Sequence, residues 1–283
     1  MFDFYNVFER SRPLQNWVTS SARVSRPGTG ILQDSCSNVA SAWFYSLQNA
    51  QARNPVTRIH CRAILFDMDG VLINSTPAVA RVWRQWAMER GFDPEAVVRR
   101  AHGRPSLATV REFLPHANHE DENREVERRE IADLEGVVAL PGAVELLDSL
   151  PDLQWAIVTS CTRRLAEVRL KAAGLPRPSC LVTSNDITNG KPAPDPYRKG
   201  AEKLGFAPED CVVVEDVPAG IQSGKAAGSK VIALSTTVGP LELKKAGADW
   251  VLQNCGDISL VANDARIGRL SLLLREREQS NSV

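Results

Sequence analysis

Short and almost uninterrupted apolar runs recur along the chain from residue 63 onwards. This pattern is typical of parallel strands covered on both faces of a sheet. It predicts six strands, at 63–66, 155–158, 180–182, 212–214, 230–234 and 249–252. Apolar residues at helical spacing predict helices at 142–150, 163–173, 196–204, 217–227 and 239–246. The alternation predicts a doubly wound α/β fold with a mainly parallel sheet.

Residues 77–138 break this alternation, because helical patterns follow one another there without a strand. The charge-dense run 119–135 has only a thin apolar stripe, which is typical of a solvated helix face. We therefore predict an all-helical cap domain, residues 79–138, inserted into a core formed by residues 59–78 and 139–262. We expect it over the carboxyl edge of the sheet, where α/β proteins bind ligands.

The two ends of the chain lack the core pattern. Residues 1–58 contain six Arg, eight Ser, no Lys and only three acidic residues. This composition resembles an organelle transit peptide, but without a clear amphipathic helix we favour a disordered extension or a misassigned start. Residues 263–283 form a C-terminal tail with a short apolar patch at 270–274, to which the pattern assigns no role.

The amino-acid composition argues against several classes of partner and site. Among the 283 residues, 34 Lys and Arg balance 34 Asp and Glu, so the net charge is zero. A general nucleic-acid or membrane-surface binder normally has a basic excess, so we expect neither partner. Six scattered cysteines without a C-x-x-C pair, and four histidines, argue against a zinc site or a disulfide framework. We expect a cytoplasmic protein that is a monomer or a small homo-oligomer.

The first candidate chemistry is a pair of aspartates, Asp67 and Asp69, directly after the first predicted strand. Gly70 then allows the chain to turn. The pair has a plain alternative as solvated loop residues. A calcium-binding loop does not fit, because the glycine follows too soon and a strand precedes where a helix should.

Polar residues also follow later strands. Thr159 and Ser160 offer hydroxyls that can bind a phosphate oxygen or cap the next helix. Lys191, between a glycine and a proline, offers an ammonium to an anion, although an ordinary surface lysine is the alternative. Glu215 and Asp216 end an apolar run, where two acids are costly unless they are paired or bound to metal. Hard oxygen ligands without His or Cys suit Mg²⁺.

Taken in order, these segments resemble the four motifs of the haloacid dehalogenase (HAD) superfamily. The matching residues are Asp67-Met68-Asp69-Gly70-Val71-Leu72, Thr159, Lys191 and Glu215-Asp216. Stretches 155–160, 190–195 and 214–220 are similar to its sugar-phosphatase and β-phosphoglucomutase-like branch, which has a helical cap between the first two motifs. The resemblance covers about residues 60–260 and implies a HAD-like Rossmannoid core.

The resemblance also implies a mechanism. Asp67 attacks phosphorus and forms an aspartyl-phosphate, while Asp69 protonates the leaving alcohol and then activates water. Mg²⁺ lies between Asp67, the backbone carbonyl of Asp69, and Asp216, with Glu215 nearby. Mg²⁺ and the lysine offset the repulsion between an anionic nucleophile and an anionic phosphate.

Further roles are implied for five residues. Thr159, Ser160 and Lys191 bind the phosphoryl oxygens. His102 and Arg104 look like a substrate-specificity loop in the cap, although a simple turn between helices is the alternative.

We therefore expect a Mg²⁺-dependent phosphatase that acts on small phosphorylated sugars or polyols. A phosphosugar mutase on the same core is the alternative. The family implies that β-phosphoglucomutases have a His about twelve residues after the nucleophile. Val79 stands at that position here and cannot form a hydrogen bond through its side chain, which favours hydrolysis.

Overall fold

The computed structural model describes residues 55–101, 103–264 and 268–276. The strands in these ranges are β1 (Val56–Cys61), β2 (Ala63–Phe66), β3 (Ile73–Asn74), β4 (Val138–Ala139), β5 (Trp155–Val158), β6 (Leu181–Val182), β7 (Cys211–Glu215), β8 (Lys230–Leu234), β9 (Trp250–Leu252), β10 (Ile258–Asp264) and β11 (Arg269–Arg275). The α-helices are α1 (Thr76–Glu89), α2 (Pro94–Ala101), α3 (Ser106–Phe113), α4 (His119–Ala132), α5 (Ala143–Ser149), α6 (Arg163–Ala172), α7 (Asp195–Leu204), α8 (Pro218–Ala227) and α9 (Pro240–Lys245).

A six-stranded parallel sheet organises the fold, in the order β6-β5-β2-β7-β8-β9. The chain starts at β2, builds outwards through β5 and β6, and then returns to build the other half from β7. The order reverses on either side of β2, and such a switch point opens a ligand crevice at the carboxyl ends of the strands. The predicted doubly wound α/β fold with a mainly parallel sheet is confirmed.

The sheet is buried on both faces, as its apolar runs predict. Successive side chains of a strand point to opposite faces. Accordingly, Ile64 and Phe66 belong to one hydrophobic cluster, and Ala63 and Leu65 belong to another on the opposite face. Helices cover both faces, and this double layer holds the ends of the central strands in place.

Helices α1 to α4 form a four-helix segment, residues 76–132, between β3 and β4 in the chain. It has its own hydrophobic cluster, which includes Trp83, Trp86 and Val126. Trp83 and Trp86 meet edge to face, with ring centroids 5.3 Å apart. None of the helices among the described residues is long and apolar enough to cross a membrane.

The expectation that residues 77–138 lack a strand is wrong at Val138, because β4 pairs with β3 as a short antiparallel ribbon. Each strand of this ribbon has only two residues, Ile73–Asn74 and Val138–Ala139. Two residues are too short for a periodic pattern, so the pairing depends on contacts between distant parts of the chain.

A second, antiparallel sheet has the order β1-β11-β10 and was not predicted. It corrects both predicted end segments, because β1 begins at Val56, within the extension assigned to 1–58, and β11 lies within the tail assigned to 263–283. Alternate residues of β11 are fully buried, and they are Leu270, Leu272 and Leu274. Residues 1–54, the remainder of the predicted extension, lie outside the described residues.

Candidate active site

Four segments bring the predicted core residues together at the switch point of the parallel sheet. Asp67 follows β2, Thr159 follows β5, and Glu215 and Asp216 lie at the end of β7. Lys191 reaches them from the loop before α7, and its Nζ contacts Oδ1 of Asp67, which lies 124 positions earlier. The site is therefore built from residues far apart in the chain.

Lys191 is buried rather than an ordinary surface lysine, with only 4% of its side chain exposed. Besides Asp67, its Nζ donates hydrogen bonds to Oε1 of Glu215 at 2.6 Å and to the carbonyl of Val158 at 3.2 Å. Burial alone would lower the pKa of Lys191, but the two adjacent carboxylates outweigh it and raise the pKa above its usual range. The two carboxyl groups therefore favour the charged ammonium form of Lys191 beside Asp67.

Glu215 has hydrogen bonds to both carboxylate oxygens. The hydroxyl of Tyr197 donates to Oε1 at 2.6 Å, and the backbone N–H of Asp216 donates to Oε2 at 3.0 Å. A Cβ at Gly220 would collide with this carboxylate, so a glycine is required there. Glu215 thus binds Lys191 through Oε1, and its part in the metal site stays a prediction.

Tyr197 was not predicted as a site residue. It is fully buried on the apolar face of α7, where a tyrosine is typical of a core residue. Only its hydroxyl, which needs a partner when buried, was a signal that it contacts a polar group.

Asp67, Glu215 and Asp216 form a buried acidic cluster in which one ligand atom from each lies within 4.8 Å of the others. Burial, and then the neighbouring carboxylates, raise the pKa of Asp216 well above its usual range. Burial is also the main cause that raises the pKa of Asp67 to about 8. Oδ1 of Asp216 is buried and has no hydrogen-bond partner among the described residues. These carboxylates fit a divalent cation with oxygen ligands.

The side chain of Asp69 lies at the edge of this cluster and accepts three hydrogen bonds. Ser75 Oγ donates to Oδ1 at 2.5 Å, Arg169 Nη1 donates to Oδ1 at 3.1 Å, and Cys161 Sγ donates to Oδ2 at 3.2 Å. The sequence predicted none of these three partners. The signal for Arg169 was a charged residue on the apolar face of a predicted helix. Metal binding by the backbone carbonyl of Asp69 stays a prediction.

The hydroxyls after β5 are available to a ligand, because a different residue caps the next helix. Thr162 is the N-cap of α6, and its Oγ1 accepts a hydrogen bond from the N–H of Leu165. Thr159 is buried, and its Oγ1 accepts the N–H of Cys161 at 3.1 Å. The hydroxyl proton of Thr159 can therefore be donated to an anion.

A cavity of about 570 Å³ opens beside these groups. Its lining includes Asp67, Asp69, Thr159, Ser160, Lys191 and Asp216 from the core, and Val79, Trp83, Arg104, Glu127 and Glu130 from the four-helix segment. Arg104 lies in the lining, but its Nη1 is bound to Oε2 of Glu112 at 2.7 Å. His102, the other predicted specificity residue, lies outside the described residues.

Comparison with known proteins places this site in a family. The family model described as haloacid dehalogenase-like hydrolase matches residues 61–228. The chain belongs to the haloacid dehalogenase-like hydrolases. The family predicted from the four motifs is therefore confirmed.

Relatives of this HAD-like hydrolase include two named phosphatases. Hexitol phosphatase A of Escherichia coli K12 is 42% identical over 207 residues, which cover 71% of this chain and 95% of that protein. Glycerol-1-phosphate phosphohydrolase 2 of Saccharomyces cerevisiae is 39% identical over 204 residues, which cover 68% of this chain and 82% of the yeast protein.

Among solved structures, a HAD family hydrolase from Deinococcus radiodurans R1, with bound phosphate and sodium, superposes with a TM-score of 0.52 and 29% identity. That match covers 69% of this chain and 92% of the other.

Proposed function

We propose that this HAD-like hydrolase is a Mg²⁺-dependent phosphatase that hydrolyses small phosphorylated sugars or polyols through an aspartyl-phosphate. The observation that carries the proposal is the buried contact of Lys191 with Asp67 and Glu215 at the switch point of the sheet. The names of its relatives, a hexitol phosphatase and a glycerol-1-phosphate phosphohydrolase, support a polyol phosphate as the substrate class.

In the first step, a carboxylate oxygen of Asp67 forms a bond to phosphorus, and the bond from phosphorus to the alcohol oxygen breaks. Asp69 gives its proton to that leaving oxygen. In the second step, Asp69 takes a proton from a water molecule that attacks phosphorus, which releases phosphate and restores Asp67. The ammonium of Lys191 and the hydroxyls of Thr159 and Ser160 bind the phosphoryl oxygens throughout.

Asp67 and Asp216 would hold a divalent cation, with Glu215 beside them. The hard oxygen ligands favour Mg²⁺, which when bound supplies positive charge for the phosphoryl group. The single positive charge of Lys191 already faces two carboxylates, Asp67 and Glu215. It therefore cannot also neutralise the two negative charges of a phosphate dianion. This charge balance supports a metal requirement.

We propose that the four-helix segment acts as a cap that encloses the leaving alcohol. The cavity beside it has a volume of about 570 Å³, which is large enough for a small metabolite. Glu127 in the lining can accept hydrogen bonds from hydroxyls. Three further expectations stay predictions. They are contact of His102 or Arg104 with the substrate, a cytoplasmic location, and a monomeric or small homo-oligomeric state.

The proposal is tested by the release of phosphate from glycerol, hexitol and sugar phosphates, with Mg²⁺ and after EDTA treatment. We expect hydrolysis that EDTA abolishes and Mg²⁺ restores. Asp67→Asn should lower kcat by at least about 1,000-fold, because the amide cannot form the aspartyl-phosphate. Asp148→Asn is the matched control at an exposed position and should retain full activity. Wild-type activity in folded Asp67→Asn, or activity after complete chelation, would contradict the proposal.

The same assay separates hydrolysis from mutase chemistry. With β-glucose 1-phosphate and a trace of glucose 1,6-bisphosphate, we expect free phosphate rather than glucose 6-phosphate. Val79 lines the cavity and offers no hydrogen bond that would delay the activation of water by Asp69. Faster formation of glucose 6-phosphate than of phosphate would favour the mutase.

A further inference from the structure

Arg169 is a charged residue on the buried face of a helix. Helix α6 buries Leu165, Ala166 and Leu170, and Arg169 lies among them with 4% of its side chain exposed. A buried guanidinium is strongly destabilising unless carboxylates and hydrogen bonds compensate for the lost hydration. The partners of Arg169 therefore indicate why an arginine is placed there.

Two carboxylates face this guanidinium. Nη1 donates to Oδ1 of Asp69 at 3.1 Å, and Nη2 lies 3.5 Å from Oε2 of Glu130 on helix α4. Nη1 also contacts Sγ of Cys161 at 3.2 Å, and that thiol in turn donates to Asp69. Arg169 thus joins the core residue Asp69 to a residue of the four-helix segment, and it lines the same cavity as Asp67.

Ser75 supplies a second, independent observation. It occupies the N-cap position of α1, yet its side chain makes no capping hydrogen bond. Its hydroxyl donates instead to Oδ1 of Asp69 at 2.5 Å. A serine at this position normally stabilises the helix that follows by a capping hydrogen bond. Here the hydroxyl group binds Asp69 instead. Donors on both carboxylate oxygens leave Asp69 little freedom to rotate.

We propose that Arg169 is a positioning residue that orients Asp69 for proton transfer, with Glu130 anchoring the guanidinium. This inference rests on the proposed function, in which Asp69 protonates the leaving alcohol. Contact between the four-helix segment and the core then completes the proton donor, because Glu130 belongs to the segment and Arg169 to the core.

The leaving group distinguishes positioning from a purely structural role. An alkoxide needs a proton as it leaves phosphorus, whereas p-nitrophenolate is stable enough to leave without one. The value of kcat/KM reports the steps up to formation of the aspartyl-phosphate. Loss of proton donation should therefore lower kcat/KM for glycerol phosphate much more than for p-nitrophenyl phosphate.

The experiment measures kcat/KM for both esters in four proteins with Mg²⁺ present. Arg169→Lys should lower the value for glycerol phosphate by about 10- to 100-fold, the usual effect of one charge-assisted hydrogen bond. The value for p-nitrophenyl phosphate should change by less than about threefold. Asp69→Asn should show the same selectivity with a larger loss. Arg163→Lys is the matched control, since Arg163 is on the same helix but pairs with Asp186 at 2.8 Å, and it should change neither value.

Equal losses for the two esters, or unchanged values for both, in a folded Arg169→Lys protein would overturn the positioning role. Should that variant fail to fold, the double variant Arg169→Met with Glu130→Gln provides the same comparison, because it removes both charges of the buried pair. A wild-type protein that releases phosphate from neither ester would contradict the proposed function itself rather than the role of Arg169.

Discussion

Glu215 shows how the role of a single residue depends on its neighbours. From sequence it is one of two acids suited to a metal. In the fold, its Oε1 accepts hydrogen bonds from Lys191 and Tyr197, and its Oε2 accepts one from the backbone N–H of Asp216. Asp216, by contrast, has an oxygen without a partner among the described residues. The two adjacent acids therefore have different surroundings: Glu215 binds the lysine, whereas Asp216 keeps the oxygen with which we propose that it binds a cation.

Tyr197→Phe tests this difference at the scale of the residue. The change removes a hydrogen bond to a buried carboxylate, so we expect the free energy of unfolding to fall by about 1.5–3 kcal/mol. Ser223→Ala is a useful comparison, because Ser223 is equally buried but donates to the neutral carbonyl of Ala193 at 2.6 Å. It should lower the free energy of unfolding by only about 0.5–1.5 kcal/mol. Denaturant unfolding with Mg²⁺ present measures both, and a Tyr197→Phe protein as stable as wild type would contradict the prediction.

At the scale of the element, strands buried on both faces were predictable and the small antiparallel sheet was not. Central strands such as β7 are apolar throughout, which is a strong local signal. Strand β11 buries only alternate residues, and β1 exposes Val56 while burying Ile59 and Cys61. The pairing of β1 with β11 joins segments about 200 positions apart in the chain, which no local pattern reports, and β10 adds to the other edge of β11.

Leu272→Ala tests whether β11 belongs to the folded core. Leu272 is 0% exposed and pairs with Ile59 and Leu260. Its truncation should lower the free energy of unfolding by about 2–5 kcal/mol, because lost burial and a cavity add together. Leu273→Ala, the next residue along and only half-buried, is the control and should have a clearly smaller effect. Equal effects in denaturant titrations would show that the face of β11 that we describe as buried is not.

At the scale of the whole molecule, folding gathers negative charge that the balanced composition conceals. The net charge is zero, yet Asp67, Glu215 and Asp216 lie together with one lysine. Ionising these carboxyls without a cation opposes folding, since burial raises the pKa of Asp67 and of Asp216. Stability should therefore be linked both to pH and to metal.

The sign of this linkage gives a prediction for the metal-free protein. The pKa of Asp67 rises from 3.8 to about 8 on folding, so the folded state binds more protons between these values. This contribution to stability is complete below the unfolded pKa and is lost as pH rises through the folded pKa. On the proposed function, Mg²⁺ would take the place of these protons. The increase in melting temperature produced by Mg²⁺ should therefore be larger at about pH 8 than at about pH 6.

Thermal unfolding with EDTA or with Mg²⁺ at the two pH values measures this difference. Asp216→Asn is the control and should reduce the effect of Mg²⁺ at both. An effect of Mg²⁺ that is absent, or that is larger at the lower pH, would contradict the linkage.

The sequence by itself determined the strand and helix alternation and the residues of the four motifs. Both are local signals, because burial on two faces leaves an apolar run, and three of the four motifs lie at the end of such a run. The resemblance to the family implied that Asp67, Thr159, Lys191 and Asp216 form one site. The parallel sheet agrees with it, because the carboxyl ends of its strands lie at one edge.

Only the tertiary structure decided the partners of Asp69 and Glu215 and the pairing of the chain's two ends. Arg169 lies 100 positions from Asp69, and Tyr197 lies 18 positions from Glu215 on a different element. Their roles depend on distances and orientations that arise when separate helices pack on the sheet. A local pattern of polar and apolar residues identifies which face a side chain occupies, whereas packing selects the group that it meets there.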